Sequence, residues 1–156
     1  MARTRKDPRH RAREAALQIL YQWEIGGLAA AQAADTFFTR QWPDAEAPPD
    51  GLRTFATALA VDTVDRLSDI DPLIANTAKR WRPERMAVLD RLILRMAICE
   101  MLRDAGTPPP VVINEALELA RTFTTEESVK FINGMLDAIR KKIATGTQRS
   151  TKDTEA

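Results

Sequence analysis

The residue types that most often carry catalysis are rare and isolated in this sequence. His10 is the only histidine, and it lies in an arginine-rich segment where no second histidine can join it as a metal ligand or a base. Cys99 is the only cysteine and lies in the apolar run 96–99, which is typical of a core position. A lone cysteine excludes an intramolecular disulfide and a zinc site built from cysteine pairs. The sequence also contains no P-loop, no glycine fingerprint after a strand and no HExxH motif.

Paired carboxylates are the remaining candidates for acid and base chemistry. Asp69 with Asp71, and Glu126 with Glu127, stand where helices are predicted to begin. Helix capping and the helix dipole already account for acidic residues at such positions. We therefore expect a protein without catalytic activity, without a cofactor and without a bound metal.

Basic residues crowd into the first 13 positions, although the whole chain carries a net charge of only +1. Against Asp7 alone, this segment holds Arg3, Arg5, Lys6, Arg9, Arg11 and Arg13. Such an asymmetry predicts a basic arm for an anionic partner. A solvated segment that only aids solubility explains the charge equally well, so charge by itself does not decide.

Two aromatic residues lie off the apolar stripes of their predicted helices. Tyr21 lies well away from the stripe of the first helix, and Phe131 projects about 110° from the stripe of the last, beside Lys130. Bases of single-stranded RNA stack on such a ring while cations hold the phosphates. Packing against a neighbouring helix is the alternative for Phe131, and helix geometry alone favours it. Gly134, inside the same helix, predicts close approach of another helix or of a ligand.

Apolar residues recur at helical spacing along the chain, and no segment alternates with period two for long enough to predict a strand. The fold class is therefore all-α, with about seven helices. Five are predicted over residues 9–24, 28–40, 52–67, 84–102 and about 113–123, with a short helix after Asp71 and a last helix opening at 124–127. The helix over 84–102 is apolar on nearly every side, which predicts that it is central and buried.

Local signals predict where several of these helices begin and which face they bury. Asp71 can cap the short helix with Pro72 at its first position, and Thr124 with Glu127 fits a capping box for the last helix. The sixth helix carries a predicted core stripe of Ile113, Ala116, Leu117, Ala120 and Phe123. The last helix carries one of Val129, Ile132, Leu136, Ile139 and Ile143.

Length and composition suit one domain or two small halves that share a core. We expect a disordered basic arm over 1–8, an N-terminal three-helix half over 9–68, a C-terminal helical bundle over 69–144 and a disordered tail over 145–156. No segment reaches the roughly 18 uncharged apolar residues of a membrane helix, and the basic N-terminus lacks the apolar core of a signal peptide. The sequence therefore predicts a cytoplasmic protein.

Three stretches resemble the NusB family. Residues 9–21 are similar to its RxxARExAxQxLY opening, and residues 88–97 are similar to its VLRxA central helix. Residues 111–123 and 128–137 resemble its C-terminal signature, INEAxELAxxF followed by SxKFxNGxLD. The C-terminal signature is the most specific of the three, because many of its residues are not core positions.

The resemblance implies a fold of two small helical bundles packed across each other. It also implies transcription antitermination, in which the protein binds boxA-type single-stranded RNA together with the ribosomal protein NusE and joins the RNA polymerase antitermination complex. By motif position it implies RNA-binding roles for Arg9, Arg11, Arg13, Lys130, Phe131 and Asn133. It places Tyr21 and Asp90 near the protein partner.

Some positions depart from the family pattern, and other functions stay open. His10 stands where an arginine is common, and Glu127 fills a site that is often aspartate. The principal alternative is a helical interaction or regulatory module, such as the NusB-like domain of an rRNA methyltransferase, which would require a longer protein with a cofactor-binding region. A structural adaptor whose arm only aids solubility is a third reading. The sequence leaves the oligomeric state open, a homodimer included.

Overall fold

In the computed structural model, seven α-helices follow one another and no strand occurs among the described residues, which confirms the all-α prediction. The structure describes residues 8–78, 83–103 and 106–155, with side chains as far as residue 146. Most of the predicted basic arm, residues 1–7, lies outside this part of the chain. The chain divides into two compact units, Met1–Leu67 and Ser68–Ala156.

Three helices build the first unit: α1 (Pro8–Gly26), α2 (Ala30–Thr36) and α3 (Asp50–Asp65). Helix α1 packs against both others. Alanines fill the contact surfaces, and because their side chains are small the helix backbones can approach closely. The buried alanines are Ala12, Ala15 and Ala16 on α1, Ala30, Ala33 and Ala34 on α2, and Ala56 and Ala60 on α3. Gly27 ends α1 with a φ of 74°, a conformation that glycine adopts without strain.

The predicted second helix is divided in two. Helix α2 ends at Thr36, and a π-helical turn spans Phe37–Gln41. The wider turn buries two consecutive aromatic rings, since Phe37 and Phe38 are 2% and 4% exposed and meet edge to face at 5.0 Å. Trp42 packs beside both rings, at 6.2 Å and 5.6 Å between centroids. The three rings form one aromatic cluster within the first unit.

The second unit contains most of α4 (Leu67–Thr77) and all of α5 (Val88–Leu102), α6 (Pro109–Phe123) and α7 (Glu126–Glu155), with a 3₁₀ turn at Pro83–Arg85. Helix α5 packs against α6 and α7, and its residues 91–100 are all buried. The prediction of a central buried helix is therefore confirmed. Two buried arginines in this stretch are held by hydrogen bonds: Arg91 donates to the carbonyls of Pro83 and Met86 at 3.1 Å each, and Arg95 donates two 2.9 Å bonds to the partly buried Asp71.

The predicted start of the fourth helix is wrong. Helix α4 begins at Leu67, so Pro72 lies inside it and not at its first position. Asp71 does not cap the helix, because its carboxylate accepts both bonds of the Arg95 fork. Burial of Ile70 and Ile74, on either side of the proline, adds a tertiary contribution that offsets the lost backbone hydrogen bond.

The N-cap of the last helix is displaced by one residue from the predicted Thr124. Thr125, not Thr124, accepts a 3.1 Å bond from the backbone N–H of Ser128 at the start of α7. Thr124 instead donates its hydroxyl to the carbonyl of Ala120 at 2.6 Å and so closes the end of α6. Two adjacent threonines therefore serve two different helices, which the local pattern did not distinguish.

The buried faces of the last two helices differ in how well periodicity predicted them. On α7, Ile132, Leu136 and Ile139 are fully buried as expected. On α6 the buried face is rotated, because Phe123 is 36% exposed and Ile113 and Leu117 are only partly buried. The buried residues of α6 are Val112, Ala116, Leu119 and Ala120. The apolar face of α6 is therefore wider than the part of its surface that α5 and α7 cover.

Helix α7 continues to Glu155 and so includes residues 145–155, which the sequence predicts to be disordered. The segment contains no proline and includes alanine, glutamine, arginine, lysine and glutamate, which are favourable in helices. Helical propensity does not depend on an apolar stripe, so a segment without periodicity can extend a helix that a packed region has already nucleated.

Candidate nucleic-acid interface

The three arginines predicted to bind RNA all lie in the first two turns of α1, but their environments differ. Arg9 is exposed, and its guanidinium carbon lies 4.0 Å from the centroid of the Phe55 ring on α3. Arg13 lies 5.3 Å from the same ring and is only 4% exposed. A guanidinium over an aromatic face is attracted by the ring's negative charge density. Burial leaves Arg13 little surface for a phosphate, which favours a structural role for it.

Arg11 faces a different aromatic residue and a carboxylate. Its guanidinium carbon lies 5.0 Å from the ring centroid of Trp42, and it forms an ion pair with Asp44. The indole N–H of Trp42 donates to the carbonyl of Glu46 at 3.1 Å and closes this loop on itself. Arg11 is a third exposed, so a phosphate that approaches it competes with Asp44 for the same guanidinium.

A fourth arginine, which the sequence did not single out, also lies over an aromatic ring and belongs to α3. Arg53 lies 5.4 Å from the ring of Phe38 and pairs with Asp35 at 3.2 Å. Four arginines of the first unit therefore lie over three aromatic residues. The clustering of arginine at the N-terminus was visible in the sequence, but the partner rings come from α3, from the π-helical turn and from Trp42 just after that turn. Only the tertiary contacts reveal them.

Two further residues of α1 were singled out in the sequence. Tyr21 is 43% exposed, as its position off the apolar stripe predicts. His10 lies 3.8 Å from the carboxylate of Glu14, one turn further along the helix. This position, which often holds arginine in the family, is therefore engaged with a carboxylate within α1.

The second unit presents the other predicted RNA-binding residues on α7. Lys130 and Asn133 are exposed and Phe131 is partly buried. At 100° per residue, Phe131 and Asn133 project about 160° apart, with Lys130 and Gly134 between them. No protein atom outside the local helix lies within 4 Å of where a Cβ on Gly134 would stand. Among the described residues, helix packing therefore does not require this glycine.

Phe131 borders a cavity of 430 Å³ between the start of α5 and the start of α7. Its lining includes Asp90, and the other lining residues are Met86, Ala87, Thr125, Glu127 and Ser128. Ser128 donates its hydroxyl to the carboxylate of Asp90 at 3.0 Å. The structure thus brings together Phe131, predicted to bind RNA, and Asp90, predicted to bind the protein partner.

Asn133 faces a second, shallower groove of 320 Å³ between α6 and α7. Asp137 lies in the same groove, where hydrogen bonds from Arg140 and then Lys141 lower the pKa of its carboxyl from its ordinary value. These contacts, at 2.9 Å and 3.2 Å, keep the carboxylate charged. Asn133 and Phe131 consequently belong to different depressions of the α7 surface.

The predicted site residues are divided between the two units. Arg9, Arg11, Arg13 and Tyr21 belong to the first unit, and the residues of α5 and α7 belong to the second. Among the described residues, no group of three or more histidine, cysteine or acidic side chains could hold a metal ion. Within the same ranges, no helix has the length and apolar character needed to cross a membrane.

Comparison with known proteins decides the family. The sequence model of the NusB family matches residues 10–141. The chain belongs to the NusB family. The resemblance seen in the three motifs is thereby confirmed, and the match contains all the predicted site residues except Arg9.

Relatives in the NusB family align with most of the chain. The transcription antitermination protein NusB of Solibacter usitatus is 44% identical over 135 residues, which are 86% of this chain and 90% of the relative. The protein of the same name from Koribacter versatilis is 43% identical over the same shares. The similarity therefore extends along nearly the whole length of these proteins.

Solved structures of NusB proteins share the fold. NusB from T. maritima superposes with a TM-score of 0.76 at 33% identity, covering 88% of this chain and 93% of that one. A crystal structure of antitermination factors NusB and NusE in complex with dsRNA matches with a TM-score of 0.75. Its identity is 24%, with 86% of this chain and 97% of that chain covered, so it supports the fold alone.

Proposed function

We propose that this protein is a transcription antitermination factor that binds boxA RNA together with the ribosomal protein NusE and so promotes processive transcription of ribosomal RNA operons. The observation that carries the proposal is the extent of the family match, residues 10–141. Relatives named transcription antitermination protein align over 86% of the chain at 43–44% identity. The aligned region includes surface residues of both units, not core positions alone.

The proposed RNA contacts lie on each of the two units. Arg9 and Arg11 are accessible on α1 and can bind phosphates, whereas the burial of Arg13 favours an indirect contribution. On α7, Phe131 offers a partly exposed ring beside the exposed cation of Lys130. Aromatic stacking tolerates any base, while nearby hydrogen-bonding groups such as the amide of Asn133 can discriminate between bases.

The proposed protein partner is NusE, with Tyr21 and Asp90 at its interface. Support comes from the exposure of Tyr21 and from the place of Asp90 at the rim of the 430 Å³ cavity. A fold neighbour is a NusB protein in complex with NusE and dsRNA. In the proposed assembly, the protein and NusE join RNA polymerase on nascent RNA.

This function requires binding and no chemistry. We therefore propose that the protein is not an enzyme, needs no cofactor and acts in the cytoplasm, where bacterial transcription takes place. The single histidine and the single buried cysteine agree with this proposal. A helical module that contacts only proteins would show the same fold, but it would not discriminate between RNA sequences.

The proposal is tested by measuring the binding of a fluorescently labelled boxA-type strand and a scrambled strand of equal length, each with and without purified NusE. We expect tighter binding of the boxA strand, a further gain when NusE is present, and a loss of affinity as salt rises. Equal binding of both strands, with no gain from NusE, would overturn the proposal. Retention of NusE binding without RNA binding would favour the protein-interaction module.

A further inference from the structure

The ring of Phe55 contacts two arginines that have very different access to solvent. Arg9 and Arg13 are four residues apart, so both side chains leave α1 toward the same ring. The guanidinium of Arg9, at 4.0 Å, belongs to an exposed residue, whereas that of Arg13, at 5.3 Å, belongs to a buried one. Phe55 itself is partly buried. It therefore lies between the interior of the first unit and the surface on which Arg9 stands.

We propose that Phe55 is a positioning residue for RNA binding, because it holds the guanidinium of Arg9 in the orientation that receives a phosphate of single-stranded RNA. This inference rests on the proposed RNA-binding function. Phe55 lies on α3, outside the arginine-rich motif, and would nevertheless contribute to the affinity of that motif for RNA.

The physical basis is the shape of the guanidinium group. A guanidinium stacked on a ring uses its flat face and keeps its N–H groups at the edge, where they can form a bidentate pair with phosphate oxygens. An exposed arginine without such support samples many rotamers, and binding must then restrict them. The ring restricts them before RNA arrives, so less conformational entropy is lost on binding.

The packing of α3 makes Phe55 a rigid support. Its helix is anchored by the neighbouring Leu52, Ala56 and Leu59, all of them buried against the first unit's core. The buried Arg13 also contacts the ring and restricts its movement from the interior side. The position of the ring is therefore set by the packing of α3 in the core of the first unit.

Substitution of Phe55 tests whether the ring affects RNA affinity by positioning Arg9 without changing the number of cations that contact RNA. Phe55→Leu keeps an apolar side chain but removes the aromatic face, so we expect RNA affinity to fall about two- to fivefold. The slope of log affinity against log salt should stay unchanged, because no cation is removed. Phe55→Tyr keeps the aromatic face and should restore affinity. Unchanged affinity in Phe55→Leu, or no rescue by Phe55→Tyr, would overturn the inference.

A double-mutant cycle tests whether the effect passes through Arg9. Arg9→Ala should weaken binding and reduce the salt slope by about 0.7, the value for one phosphate contact on a single strand. In that background Phe55→Leu should cause no further loss, because the side chain that it positions is absent. Fully additive losses would show that Phe55 acts independently of Arg9, and the inference would fail.

A stability control excludes a general effect of α3. Val64→Ala shortens another partly buried side chain of the same helix, and we expect it to lower the melting temperature while leaving RNA affinity unchanged. An equal loss of RNA affinity in Val64→Ala would attribute the Phe55 effect to stability and overturn the inference. If the unsubstituted protein binds no RNA at any salt concentration, the proposed function itself fails. The two failures are therefore distinguishable.

Discussion

Ser128 on α7 donates a 3.0 Å hydrogen bond to the carboxylate of Asp90 in the first turn of α5. The same serine is engaged by Thr125, which donates to its hydroxyl at 3.3 Å and accepts from its backbone N–H at 3.1 Å. The cap of α7 is thus linked to the start of α5. Asp90 is held at the rim of the cavity that Phe131 also borders.

We predict that Asp90→Lys impairs NusE binding more than the binding of RNA alone. The substitution reverses a charge at the proposed partner surface and removes the acceptor of the partly exposed Ser128, which costs about 0.5–1.5 kcal/mol of stability. Asp90→Asn is the matched control, because its amide oxygen can still accept from Ser128 while the charge is lost. Titration of each variant with NusE and with RNA checks this. Equal losses for both ligands would count against a partner site at Asp90.

For Phe131→Ala, the expected result is a loss of about 1–3 kcal/mol in boxA RNA binding with a nearly unchanged melting temperature. The neighbouring Ile132→Ala should behave in the opposite way, because Ile132 is fully buried and its truncation costs about 2–5 kcal/mol of stability. RNA titrations and thermal melts of the two variants check the prediction. A large fall in the melting temperature of Phe131→Ala would make Phe131 a core residue.

The arginines of α1 should differ in their effect on salt dependence. Arg11→Ala should lower the slope of log affinity against log salt by about 0.7, since Arg11 is accessible. Arg13→Ala should leave that slope nearly unchanged and lower the stability of the first unit, because Arg13 is 4% exposed. Affinities measured over a range of salt concentrations check both. If the slope survives removal of Arg9, Arg11 and Arg13 together, α1 does not contact the RNA backbone.

Gly134→Ala should raise the stability of the protein while it weakens RNA binding. Alanine is better than glycine inside a helix by about 0.5–1 kcal/mol, and a Cβ at Gly134 meets no described protein atom outside the local helix within 4 Å. The added methyl group would instead meet a ligand that approaches between Lys130 and Phe131. Gly146→Ala, also unobstructed on α7, is the control and should leave RNA affinity unchanged. Identical RNA affinities for both variants would exclude close approach at Gly134.

Much of the fold was predictable because its cause is local. Hydrophobic periodicity predicted the all-α class and the burial of α5, whose apolar residues occupy every side. The predicted start of α4 was wrong because the prediction placed Pro72 at its first position, where proline is most common in a helix. There the ion pair between Asp71 and Arg95 stabilises the helix around the proline. The two residues are 24 positions apart in the sequence, so the local pattern does not show this contact.

The candidate site was predictable in its residue types and much less in its geometry. Phe131 was recognisable as a candidate because it lies off the apolar stripe of its own helix, which is a property of one helix. Phe55 was not, because its spacing with Leu59 and Thr63 is that of an ordinary core residue. Its contacts with Arg9 and Arg13 join two helices, and helical periodicity contains no information about which residues of another helix lie opposite.

The sequence by itself determined that the chain is helical, that its N-terminus is rich in arginine and that its motifs are those of the NusB family. These properties depend on residue type and on spacing along one helix. The tertiary structure decided which arginines stay accessible: Arg9 stands exposed on the Phe55 ring, Arg11 pairs with Asp44, and Arg13 is buried. These three arginines are evenly spaced in the sequence but differ in solvent access. The reason is that the neighbouring helix and loop cover each of them to a different extent.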